Sequence, residues 1–324
     1  MEVVSKPGTG TNRETTGGPP QAIGGKTSLL TRIRRHKWGY IFVSPWILVY
    51  AVFGLYPLLL SFYLTFFNYS FVRPQDETFV GPGNWLRGIT DGLFWLALFN
   101  IVYNQVIFIA LKNGLGLGIA LLLKRITKGG RIFRTIYFMP VITSPVVLVL
   151  VGSYIVSPGG PIQNLLLNTG VIHSAVFWKF ADWLPMPVIA LINSWKWFGV
   201  STIILLAGLY SIDAQLYEAA SLDGATAWSN FRYITLPLLR PQLFFLLVVD
   251  LINGLQMFSE VYALGYDVYG GPNHQALTPV MYVYAQAFDR SNAGYSSALG
   301  LLLALVIAIV TWLQFKFVPS DTTA

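Results

Sequence analysis

Six long apolar stretches, each bounded by a short polar segment, organise this chain of 324 residues. They lie near 38–67, 95–123, 132–156, 187–209, 239–265 and 295–317. A helix needs about 20 residues to cross a hydrocarbon core, and each stretch reaches that length. Backbone N–H and C=O groups in lipid must be satisfied within the segment, so helices are the expected form. The two-residue alternation of a membrane β-barrel is absent. The pattern therefore predicts an all-α polytopic membrane protein with six transmembrane helices. Residues 1–30 are polar, rich in Gly, Pro and Thr, and read as a disordered cytoplasmic tail. They do not read as a secretory leader, because the apolar run beginning near Tyr40 is too long and lacks a small-residue cleavage site.

Composition supports this picture. Hydrophobic residues make up 54% of the chain and charged residues only 11%, whereas a soluble domain carries about a quarter charged residues. The net charge of +7 does not point to nucleic acid, because the basic residues sit at the ends of apolar runs. Fifteen of the 21 Lys and Arg fall before the first span, between spans two and three, between four and five, or after the last. The opposite loops hold Arg73, Arg87, Lys179 and Arg290. The positive-inside rule then puts both termini in the cytoplasm. There is no cysteine, which excludes disulfides and thiolate chemistry. His36, His173 and His274 are too far apart in sequence for a metal-ligand spacing. No internal repeat is evident.

The loop between spans four and five is the most informative segment. A small-residue helix face at Leu216, Ala219 and Ala220 precedes Gly224, which suits a tight turn. A second short helix is expected to run to Pro237, with Pro237 opening the next span. The expected product is a helix–turn–helix on the cytoplasmic face, with Glu218 and Asp223 at its rim. A hairpin lying on the membrane would favour Lys and Arg on its polar face. The acids here fit a protein partner better.

The run EAASLDGATAWSNFRYITLPLLRP resembles, without a gap, the EAA loop of ABC importer permeases of the maltose-type carbohydrate family. FRTIYFMPVITSPVV, Gly271-Pro272 and FVGPGNW resemble further segments of that family. The resemblance covers about residues 38–318 and implies the type I importer permease fold. The implied divisions are 31–94 (first helix and outer loop) and 95–318 (permease core), with the coupling loop at 211–241. It also implies that Glu218, Ala219, Ala220, Asp223, Gly224 and Pro237 form the contact with a cytoplasmic ATPase. The implied partners are a second related permease, two copies of that ATPase, an extracytoplasmic solute-binding protein, a sugar-like solute and membrane lipid. ATP would be bound by the partner subunit, with no cofactor and no catalytic site in this chain. No GxxxxGK[ST] phosphate loop occurs. The location implied is the plasma (inner) membrane of a prokaryote.

Ionisable residues inside spans usually face a cavity or a partner. Lys112, Lys196, Asp250 and Glu260 are such residues. The resemblance carries solute contacts onto Asn193, Lys196, Trp197 and Val200 in span four. In span five it points to Asp250 and Gly254, with Gln256 nearby. In span three it points to Val141 and Pro145, which are not sugar-like. Lys112 paired with Asp250 or Glu260 is the bland alternative for the charges. Two other classes compete. A six-helix proton-coupled secondary transporter would use Asp250 and Glu260. A membrane-embedded enzyme would need a tighter cluster of His, Asp or Glu than this sequence holds.

Overall fold

The computed structural model describes residues 37–125 and 130–317. The tail expected at 1–30 lies outside the described residues. The chain divides into two units, Met1–Pro57 and Leu58–Ala324. In the first, Lys37–Tyr50 is helical, and its apolar side chains, Phe42 and Trp46 among them, are exposed. A π-turn follows at Ala51–Leu55. It ends two residues before Pro57, whose missing N–H deprives the residue four back of its helical partner, and a wider turn accommodates that loss. The whole first spanning helix, α1, is Trp38–Leu64.

The second unit opens on the last residues of α1, and a two-residue antiparallel pair follows, β1 (Phe67–Asn68) and β2 (Thr78–Phe79). The buried Asn84 amide pins this turn by donating to the carbonyls of Thr65 at 3.0 Å and Phe67 at 2.9 Å. Helix α2 is Gly83–Thr90 and α3 is Gly92–Lys124. Asp91 caps α3, accepting from the amides of Leu93 and Phe94. Next come α4 (Gly130–Ile142), α5 (Pro145–Val156), α6 (Pro161–Asn168) and α7 (Pro185–Ser211). Then follow α8 (Ala214–Leu222), α9 (Ala227–Leu238), α10 (Arg240–Gly254), α11 (Ser259–Ala263), α12 (Pro279–Tyr284) and α13 (Ala293–Phe317).

Among the described residues, five helical stretches are long and apolar enough to cross a membrane, and the α9–α10 pair, bent by 60°, makes a sixth. Two spans differ from their sequence outlines. The stretch expected at 132–156 breaks at Thr143–Ser144, and the long apolar stretch instead runs over Pro145–Asn168. Pro145 disfavours helical conformation in the residue before it, and Ser144 is extended, with ψ 134°. The stretch expected at 239–265 is a continuous helix only to Gly254, and a short helix resumes at Ser259–Ala263. Leu255, Met257 and Val261 beyond it are apolar because they are buried in the core.

The core has two apolar clusters. One gathers Phe94, Ala97 and Ile101 of α3 with Met186, Ile189 and Ile192 of α7 and Leu277, Tyr295 and Leu299. The other gathers Ala120 and Leu123 of α3 with Leu205 and Leu209 of α7, Leu239 and Leu246. Between them both helices turn polar. Asn104 donates to the carbonyl of Met186 at 2.8 Å, and Ser201 donates to Asn113 at 2.7 Å. Water is scarce at this depth, so α3 and α7 satisfy these groups across their own interface.

Candidate functional site

This polar belt opens into a cavity of about 550 Å³. α3 lines it with Gln105, Phe108 and Lys112, and α7 with Asn193, Trp197, Val200 and Ile204. Its far wall is α10, the turn that follows and the start of α11, including Asp250, Asn253, Gly254, Gln256 and Glu260. Six candidates from the sequence therefore share one cavity: Asn193, Trp197, Val200, Asp250, Gly254 and Gln256. Lys196 is buried and is not among the lining residues. Its ammonium lies 5.2 Å from the centre of the Trp197 ring. Val141 and Pro145 flank the α4–α5 break and do not line the cavity.

Lys112 and Asp250 form a buried ion pair across α3 and α10. Asn113 donates to the second oxygen of Asp250 at 3.3 Å, and Ser201 holds Asn113 in turn. Low dielectric makes each charge costly alone and tolerable as a hydrogen-bonded pair. The bland reading of these two charges, a structural pair, thus matches the geometry. Gly254 has a different reason for its identity. A Cβ there would collide with the Gln105 amide, so the glycine admits Gln105 to the cavity wall.

Gln105 and Phe108 were not found by sequence reasoning. The Gln105 amide nitrogen donates to Asn104 Oδ1 at 3.2 Å, and its own oxygen has no partner. Asn193 Oδ1 is likewise buried without one. The available signal was a polar amide within an apolar run, although the resemblance carried contacts only onto spans three to five.

The second site is the hairpin α8–α9. Asp213 caps α8 by accepting from the Gln215 amide at 2.9 Å. The helix ends in a Schellman motif: Ala225 N–H donates to Ala220 O at 2.9 Å, and Gly224 N–H to Ser221 O at 3.1 Å. Gly224 has φ +77°, the left-handed conformation expected of the turn residue. No residue of α8 is buried, and Leu222 is 90% exposed. Tyr217 and Thr235 share a hydroxyl hydrogen bond of 2.9 Å that ties α8 to α9. Pro237 stands in the last turn of α9, and it is Pro241, in the first turn of α10, that opens the span. This corrects the expected role of Pro237. With a proline at each place the continuous helical ladder is lost, and the chain bends.

At the other end of the bundle, Asp91 accepts hydrogen bonds from the hydroxyls of Tyr282 at 2.6 Å and of Tyr295. Arg87 stacks on the Tyr295 ring at 3.9 Å. Burial pushes the Asp91 carboxyl up, but the two phenols and the two backbone amides outweigh it and hold it below its ordinary range. Burial and the Asp91 hydrogen bond push the Tyr282 hydroxyl well above its usual value.

Spanning helices, a polar mid-bundle cavity and an exposed EAA hairpin define a transport permease. Residues 112–320 match the family described as binding-protein-dependent transport system inner membrane component, and the chain belongs to that family. It is an ABC transporter permease subunit of the inner membrane. It is 32% identical over 283 residues to the lactose transport system permease protein LacF of Rhizobium radiobacter, covering 86% of this chain and 92% of the relative. It is 31% identical over 281 residues to the arabinooligosaccharides transport system permease protein AraP of Bacillus subtilis, covering 86% and 87%. Its fold matches a chain of a bacterial ABC transporter involved in import of the acidic polysaccharide alginate. That match has a TM-score of 0.74 at 22% identity and covers 92% of this chain and 100% of the other.

Proposed function

We propose that this chain passes a sugar or oligosaccharide, handed over by an external solute-binding protein, through the cavity between α3, α7 and α10. It does so beside a second permease, powered by two copies of a cytoplasmic ATPase that bind and hydrolyse ATP. The chain itself is non-catalytic and holds no cofactor. The lactose and arabinooligosaccharide names of its relatives support the solute class. The basic-residue asymmetry supports cytoplasmic termini and a cytoplasmic hairpin.

One observation carries the coupling role. The hairpin holds exposed apolar side chains, Leu222 and Trp228, on a rigidly capped turn, and such surface outside the bundle suits a protein partner. Glu218, Ala219, Ala220, Asp223 and Gly224 make that contact, and Pro237 supports it from the end of α9. A proton-coupled carrier has no use for this surface, and Asp250 is already neutralised by Lys112.

The test is ATP-driven uptake in vesicles holding the whole transporter. Gly224→Asp and Glu218→Lys are expected to abolish uptake at unchanged membrane content. Uptake driven by a proton gradient without ATP or binding protein would overturn the reading.

A further inference from the structure

Among the described residues, the orphaned polar atoms on residues lining the cavity are both acceptors. Gln105 Oε1 and Asn193 Oδ1 are both buried without a hydrogen-bond partner, on side chains 1% and 3% exposed. The Gln105 orientation is fixed from behind: the Met186 carbonyl accepts from Asn104, and Asn104 Oδ1 accepts from Gln105 Nε2. Turning the Gln105 amide over would set two oxygens against each other. Leaving such oxygens unpaired is costly, so they await a donor. Gly254 keeps Gln105 in place, because a Cβ there would occupy the position of its amide.

The one ammonium of the same wall already has its partner. The Lys112 ammonium is held by Asp250, and Glu260 adds a further carboxylate to the lining. Among the described residues no other Lys or Arg lines the cavity to receive an anionic group. Trp197, 37% exposed, supplies an aromatic surface between Asn193 and Val200 on α7.

From this arrangement we infer that Gln105, beside the Asn193 to which the resemblance already points, is a specificity-determining acceptor for a hydroxyl of a neutral saccharide, and that the Lys112–Asp250 pair makes the cavity reject acidic sugars. A sugar hydroxyl has the donor that either amide oxygen lacks. A carboxylate offers only lone pairs to them and finds the one lining ammonium already occupied. The inference rests on the sugar-permease reading and narrows its solute to uncharged sugars.

The experiment measures sugar binding by saturation-transfer NMR to the assembled transporter in lipid nanodiscs without its binding protein. The probes are lactose, maltose, arabinobiose and raffinose against digalacturonate and dimannuronate. A neutral sugar is expected to bind at least about tenfold more tightly than either uronate. Gln105→Leu is expected to weaken neutral-sugar binding about tenfold, one hydrogen bond's worth. Asp250→Asn, which frees the Lys112 ammonium, is expected to lower the neutral-to-acidic ratio about tenfold. The ratio does not depend on how much folded protein a variant yields. Equal binding of uronates to the unaltered protein, or a ratio unmoved by Asp250→Asn, overturns the inference and leaves the sugar-permease reading standing. Full neutral-sugar affinity in Gln105→Leu also overturns it. If no sugar in the panel binds, the sugar reading itself fails and takes the inference with it.

Discussion

The belt cavity and the α8–α9 hairpin invert each other's rules. In the cavity, charged and amide groups are buried: Lys112, Asp250, Gln105 and Asn193 are each less than a tenth exposed. On the hairpin, apolar groups face outward, with Leu222 90% and Trp228 68% exposed. A buried charge must find its partner within the chain, so the cavity is strongly constrained by folding. An exposed leucine contributes little to folding, so the hairpin answers mainly to whatever binds it. Substitutions should therefore separate stability from transport differently at the two places.

The largest effect belongs to the ion pair. Lys112→Met alone leaves a buried carboxylate and should cost about 3–5 kcal/mol, while the double variant Lys112→Met with Asp250→Leu should recover most of it. Denaturation of the detergent-solubilised protein checks this; equal loss in the single and double variants would show that packing, not charge, sets the cost. Gly254→Val should cost about 1–3 kcal/mol through its collision with Gln105, and pairing it with Gln105→Ala should return part of that. Asp91→Ala should cost about 1 kcal/mol as a lost helix cap. Because its folded-state pKa is depressed, Asp91 contributes stability above its ordinary value of 3.8 that is lost as pH falls below it. The difference between wild type and Asp91→Ala should therefore shrink in that acid range, in a pH series of melting curves. Leu222→Ser, the smallest, should change stability by less than about 0.5 kcal/mol, yet weaken pull-down of the ATPase. A stability loss as large as that of Gly254→Val would mean the hairpin is core after all.

The spans were legible because apolar length is a direct statement about lipid. Their interruptions were less so. Ser144 is extended because of the proline after it, yet the apolar run passes through unbroken. The helix ends at Gly254 although Leu255 and Met257 keep the run going, since those side chains serve a tertiary core rather than lipid. The hairpin was the clearest local signal, since Gly224 and its cap involve neighbours only. Asp91 went unnoticed because its partners Tyr282 and Tyr295 are 191 and 204 residues away. Gln105 was missed for a related reason: its meaning depends on Gly254, on a different helix.

The 60° bend between α9 and α10 gives this pair the shape of a crank. The handle is the hairpin, fastened to the short arm by the Tyr217–Thr235 hydroxyls. The pivot is Leu239, wholly enclosed in the apolar cluster. The long arm is 15 residues and ends where Asp250 and Gly254 meet the cavity. A crank turns a push at the handle into a swing at the far end. Under the proposed coupling role, opening or closing the passage requires only that one stiff, angled piece rotate about Leu239, its angle set in advance by Pro237 and Pro241.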